Sequence, residues 1–507
     1  MPATASKSLP APVGGLNDRD SLADMPPADA VILENWWPYP SQVGIRKGCL
    51  NWSTGYTSTV ETVVDYAPPT GNVTLFAAAG NSIYNATAQG AVGAPVVTGL
   101  NNARWQDVAI TTPGGSFLYL FNGVDKPQLY NGTTWTAVDA ASTPAITGVT
   151  TTLLVQGCLF KNRIWMVETN SMRAWYLPVN SIGGAAQSLD LGGVFRRGGY
   201  LMAIYTWTID AGDGADDHLV FISSNGECAV YSGTDPSTAA TFQLVGNYII
   251  GRPIGRRCGC KYGGDLLIMT DEGLYPISKG LLSASIDKRT AITDKIQNGI
   301  SLAVSNYKNN FGWSVTLFTN MNMIIINVPK GNGQNFQYCQ NTITGAWTQF
   351  TAWNASSWRD TANGLYFGNQ NSVQLAWVGQ SDNTNQIVAD ALPSFQTFGS
   401  SAQKKYFTMV KPYLTTTGIP SIVYGLNIDY MVSDVNGVFS FTAPPGMIWG
   451  SMFWGSMFWG GGSRTFTSWK TVGKDAQSAA LRLKVQANGA EVNWQATDYL
   501  YQRGGVL

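Results

Sequence analysis

Apolar positions along this chain recur mostly in short runs with period two, and only rarely with the period of a helix. From about residue 60 to 400 a loose unit returns: a short β-rich run, a polar turn holding Asn or Gly, then a second run ending in an aromatic. It reads "LFAAAGNSIYNAT" from 75, "SFLYLFNGVDKPQLYNGTTW" from 116, "RIWMVETNSMRAWYLPV" from 163 and "HLVFISSNGECAVYSG" from 218. "DLLIMTDEGLYPISKG" from 265, "MIIINVPKGNGQNFQYCQNTITGAWTQF" from 323 and "LYFGNQNSVQLAWVG" from 365 continue it. A return of roughly 40–55 residues matches one four-stranded propeller blade, and about six or seven blades fit the span. A two-sheet sandwich is the competing arrangement. One segment, 285–308, places Ile292, Ile296, Ile300 and Val304 four residues apart and predicts a helical insertion, with Thr290 or Thr293 as its N-cap.

Beyond about 400 the pattern changes. "KKYFTMVKPYLTTTG", "GLNIDYMVSD" and "ALRLKVQANGAEVNWQATDYLYQRGG" alternate as strands with one buried face, predicting an antiparallel β platform over 401–507. The first 56 residues are rich in Pro and Gly around "AVILENWW". They read as an extended N-terminal docking arm whose aromatics need another surface, with Pro26 and Pro27 admitting at most one helical turn. The expected fold is therefore all-β: an arm over 1–56, a propeller over 57–400, and a platform.

Composition supports strands joined by tight turns. Charged residues are 12% of the chain against about 25% in an average globular protein, while aromatics reach 12% and glycines number 56. Lys plus Arg and Asp plus Glu balance at 31 each, which removes a global electrostatic argument for nucleic-acid binding. Six scattered cysteines read as free buried thiols; Cys258 and Cys260 form a lone C-x-C without further ligands. The start of the sequence has no apolar signal-peptide core, and no run reaches the ~18 apolar residues of a spanning helix.

Chemistry is sparse. His218 is the single histidine, so triads and His-metal clusters fall away. The acidic stretch 209–218 departs from a calcium loop: with Asp210 at position 1, Gly212 and Phe221 stand where ligands belong. Its carboxylates Asp213, Asp216 and Asp217 are the residues a propeller glycosidase would have to use. No catalytic residue, metal or cofactor is expected. Local basic clusters supply the candidates for DNA or channel contact: Arg252, Arg256 and Arg257 in one stretch, Lys404, Lys405 and Lys411 in another. In "GMIWGSMFWGSMFWGGG", Trp449, Trp454 and Trp459 recur every five residues, a period that fits neither strand nor helix. A bulged ribbon follows, its tryptophans packing in the platform or between subunits, as Trp36 and Trp37 of the arm are also expected to do.

Three stretches together resemble the tail nozzle proteins of short-tailed bacteriophages, also called tail tubular, tail hub or DNA-stabilisation proteins. They are the opening motif with Ala30, Leu33, Asn35, Arg46 and Gly48; "GAWTQF…GLYFGNQ" from 345; and the tryptophan tandem followed by "SWKTVGKDAQSAALRLKV" and a terminal Gly-Gly. The tandem has Gly455 and Gly460 where that family often carries Asp. The resemblance implies a non-enzymatic virion protein, six copies in a ring below the adaptor (head-to-tail connector) and portal. The ring's channel would retain the packaged genome and conduct double-stranded DNA during ejection without reading its sequence. The implied partners are further copies of itself, the adaptor, tail fibres or spikes, and the host envelope at the tip, with no small-molecule substrate. The implied place is the distal short tail, assembled in the bacterial cytoplasm. The alternative reading is a carbohydrate- or receptor-binding propeller, in which tryptophans stack on sugars.

Overall fold

The computed structural model describes residues 4–208, 217–279, 290–439 and 464–506. The chain is all-β, with a propeller and a platform, as expected. Among the described residues, seven consecutive units of antiparallel strands surround an axis. Their innermost strands are Val60–Tyr66, Gln106–Thr112, Leu154–Phe160, Leu201–Thr208, Gly259–Tyr262, Ser314–Phe318 and Ser357–Thr361. Each lies against the next blade, and the seventh lies against the first, so the ring closes.

Closure uses the chain's beginning. The seventh blade runs Ser357–Thr361, Gly364–Gly368 and Ser372–Ala376 outward, and its next strand is Cys49–Thr54, paired antiparallel to Ser372–Ala376. An outer strand from one end of the propeller thus completes a sheet from the other. Opening the ring would expose both edges, a cost that a short edge strand alone cannot offset. The last residues assigned to the arm therefore belong to the propeller.

Strand patterns follow burial. Met323–Val328 reads "MIIINV" without alternation because this strand sits inside its blade with both faces covered. Gln403–Thr416 in the platform does alternate, burying Lys405 and Phe407, then Val410, Pro412, Leu414 and Thr416. The phase changes by one residue at a bulge between Phe407 and Met409. Pro412 is accommodated because the strands on that side pair only with Lys405–Val410 and Leu414–Thr416.

The platform is two packed sheets. One combines Gln403–Thr416 and Val492–Val506 with three arm strands, Thr4–Pro10, Trp36–Pro38 and Val43–Ile45. The other runs on from the sixth blade: Trp347–Phe350, then Asp29–Glu34, Ile387–Pro393, Ala479–Ala487, Ser421–Ile428 and Gly437–Phe439. Phe407, Leu414, Ile422, Leu483, Val485, Trp494 and Tyr499 fill the space between, in one core continuous with the propeller's. Two expectations change here. The platform begins at Ile387 rather than 401, because that strand pairs with Ala479–Ala487. The arm docks on its own chain, with Leu33, Trp36 and Val43 fully buried there.

The helix α1 spans Gln297–Tyr307 after a 3₁₀ turn at Asp294–Ile296, burying Ile300, Ala303 and Val304. Neither threonine caps α1 as expected. The N-cap position is Ile296, and Thr293 Oγ1 instead accepts a bond from the Leu274 amide at 3.1 Å. The cap comes from the arm: Asp18 accepts the amides of Asn298 at 3.0 Å and Gly299 at 2.6 Å. A carboxylate there satisfies orphan donors and opposes the positive end of the helix. Burial nonetheless pushes the Asp18 carboxyl up, against those two amide bonds. Trp449, Trp454 and Trp459, with Asp210, Asp213 and Asp216, lie outside the described residues.

Candidate functional site

The arm motif converges on one buried arginine. Asn35 holds a left-handed backbone at φ 57°, a conformation asparagine tolerates better than most residues. This turn separates the strand Asp29–Glu34, in one sheet, from Trp36–Pro38, in the other. Arg46 returns beside it on the hairpin and is fully buried. Its Nε donates to Asn35 Oδ1 at 2.9 Å. Its two terminal nitrogens grip both Asp382 oxygens, at 2.9 and 2.7 Å, and the carbonyls of Lys47 and Thr351, each at 2.9 Å. All five guanidinium hydrogens are thereby used.

The remaining polar groups are equally matched. Asn35 Nδ2 donates to Thr351 Oγ1 and the Val388 carbonyl, each at 2.7 Å, and Oδ1 also accepts the Thr351 amide at 2.9 Å. Trp353 Nε1 donates to Asp382 at 3.1 Å and its ring lies 4.3 Å beneath the guanidinium carbon. Burial pushes the Cys49 thiol up to about 12, with the Asp382 charge adding to it, so this cysteine stays protonated. The clasp joins the arm, the sixth blade's last strand and the loop after the seventh blade in a satisfied network, where a lysine's point charge could not substitute for the bidentate fork. It is a joint in which Asn35, Arg46 and Asp382 are all buried.

Leu33 and Trp36 are fully buried and Trp37 nearly so. Trp36 packs on Trp494 with ring centroids 6.2 Å apart, and Trp37 lies edge-on to Trp377 at 5.7 Å. Gly48 is needed for space: a Cβ there would sit 1.9 Å from the Ser381 carbonyl oxygen. Gly48→Ala should force the 378–382 loop away and cost about 3 kcal/mol, the upper end for overpacking, read as a lowered melting temperature.

The basic candidates do not form one surface. Lys405 is buried and spends its ammonium on the carbonyls of Ser400, Gln403 and Gln477. Lys411 pairs with Asp498 at 2.8 Å and lies over Tyr413 and Trp469. Arg256 donates to the Met202 carbonyl at 2.6 Å. Only Lys404 and Arg252 of the six are exposed. A strand register that alternates burial therefore took Lys405 inside, which charge counting alone misses.

Asp498 carries a pH dependence. Burial acts to raise its carboxyl, but hydrogen bonds from Lys411, Tyr413 and Ser8 outweigh this and hold it below the usual range. A folded-state value below the unfolded one, about 3.9, gives stability that is present above that pH and lost as pH falls through the folded value. Asp498→Asn should therefore be less stable than the parent at pH 7, and the two urea midpoints should approach each other below about pH 4.

The propeller axis is the other feature of note. One cavity of about 740 Å³ opens at its mouth and a second of about 780 Å³ continues inward, each lined by all seven blades. Arg257 of the fifth blade separates them. It reaches across the axis to the first and second blades, donating to the Glu61 carbonyl at 3.2 Å, Thr62 Oγ1 at 2.8 Å and the Trp105 carbonyl at 2.9 Å. Beyond it, Arg359 pairs with Asp65 and, at 3.0 Å, with Asp107. The propeller's own channel is crossed by side chains.

No family model and no curated protein matches the chain. Among solved structures, it is similar to BBS1N, crystallised in complex with ARL6DN, at 15% identity over 48% of this chain and 72% of that one, with a TM-score of 0.30. It is also similar to the AfRom2 CNH domain, at 10% identity over 57% of this chain and 90% of that one, with a TM-score of 0.34. Neither likeness bears on what the chain does.

Proposed function

We propose that this chain is the tail nozzle subunit of a short-tailed bacteriophage, a structural virion protein without catalytic activity. Six copies close into a ring whose axis retains the genome and conducts double-stranded DNA at ejection. The observation that carries this reading is the clasp. Asn35, Arg46 and Gly48, which carry the resemblance to nozzle proteins together with the buried Leu33, meet at one joint between arm, propeller and platform. Fixing these three parts rigidly suits a subunit that must transmit load during ejection. In this reading DNA passes between subunits, because Arg257 crosses each propeller's own axis. The adaptor above and fibres alongside are its neighbours, with the host envelope at the tip.

Negative-stain imaging of the purified chain, alone and added to tail-less particles, tests this. A hollow sixfold element that joins the particle vertex is the expected result. A monomer that never joins particles would remove the reading.

A further inference from the structure

The mouth of the propeller axis gathers more positive charge than it neutralises. Arg104 and Arg257 approach the same ring, their guanidinium carbons 4.4 and 5.2 Å from the Phe311 centroid. Arg256 and Lys308 line the same cavity. Against these four cations stands, among the described residues, one lining carboxylate, Glu61, engaged with Arg104 at 3.1 Å. The recorded bonds of Arg256 and Arg257 run to carbonyls and a hydroxyl, and neither makes an ion pair with a carboxylate within 4.0 Å among the described residues. Burial brings the Arg257 guanidinium down to about 10, opposed by Asp107 and Glu61 and reinforced by Arg104. Arg256 and Arg257 are half-buried while Arg104 and Lys308 are exposed at the mouth; like charges gathered in this way repel one another until an anion enters.

We infer that this cavity is a binding site for a small oxyanion bearing two or more phosphate groups, held by Arg104, Arg256, Arg257 and Lys308 over Phe311. The volume, about 740 Å³, lies in the range of small-molecule sites. Planar guanidinium groups suit phosphate oxygens, and several cations in one enclosure favour a multiply charged ligand over a single carboxylate. The site faces the axis of one propeller and does not rest on the ring reading; it stands or falls with the single chain.

Inorganic pyrophosphate is the probe. Calorimetric titration of the full chain should show saturable binding, with an accompanying rise in melting temperature, while sodium chloride at matched ionic strength gives neither. Arg257→Gln should weaken binding about tenfold or more, and Arg252→Gln, exposed and outside the cavity lining, should leave it unchanged. Should Arg257→Gln fail to fold, Arg104→Gln, at an exposed position, carries the same expectation. No binding of pyrophosphate up to about 1 mM, or equal binding by the Arg104 variant, would overturn the assignment.

Discussion

Replacing Arg46 with alanine should lower stability by about 3–5 kcal/mol, the usual cost of removing one partner from a buried ion pair. The substitution leaves Asp382 charged and buried, and it frees Asn35 Oδ1 and the Lys47 and Thr351 carbonyls from their donors. Trp353 also loses the cation above its ring. Arg46→Lys should recover only part of the loss, since three donors on a flexible stem cannot meet five fixed acceptor positions. The double variant Arg46→Met with Asp382→Leu should lose less than Arg46→Ala alone, because no orphan charge remains. Thermal unfolding gives the size of the effect. Hydrogen exchange in Asp29–Glu34 and Cys49–Thr54 locates it, and both strands should lose protection together, since the clasp pins the arm at each. Protection lost in Asp29–Glu34 but kept in Cys49–Thr54 would contradict that coupling.

The second large effect lies one residue beyond the Asn35 turn. Trp36 is fully buried against Trp494 in the arm-containing sheet, and Trp36→Ala should cost about 3–5 kcal/mol through lost burial and the cavity left behind. Its indole Nε1 has no acceptor among the described residues. Trp36→Phe removes that unsatisfied donor along with part of the ring, so the two terms oppose and the net loss should be much smaller than for alanine. Melting temperatures of the two variants separate these readings. Equal losses would mean that the indole nitrogen has an acceptor in solution.

Much of this architecture is legible in the sequence because its signals are local. Period-two runs broken by Asn and Gly read as strands, their spacing reads as blades, and the many aromatics exclude a disordered chain. Leu33, Trp36 and Trp37 stand out as apolar positions within a Pro- and Gly-rich stretch, and all three are buried. The partners were not legible. Asp382 lies 336 positions from Arg46, and Asp18 caps a helix 280 positions away. Neither carries a local pattern that distinguishes it from a solvated carboxylate. Threonine at 293 has the right residue type for a cap, yet tertiary contact directs its hydroxyl to a neighbouring strand. Closure of the seventh blade by Cys49–Thr54 has the same origin: the pairing is decided by ring geometry, and the sequence around 51 reads only as the end of the extended arm. Charge counting failed for a related reason. Whether Lys405 or Arg257 meets solvent depends on strand phase and on what lies across an axis, neither of which is a property of the lysine or arginine itself.

We propose that DNA travels along an axis formed between copies of this chain and never through a propeller. Cryo-electron microscopy of tails halted with DNA in transit measures this directly. Rod-like density on the sixfold axis is the expected result, with the seven-bladed rings arranged around it and each propeller axis still crossed by Arg257. Duplex density threading a propeller, or a tail in which this chain forms no ring about the DNA, would contradict it.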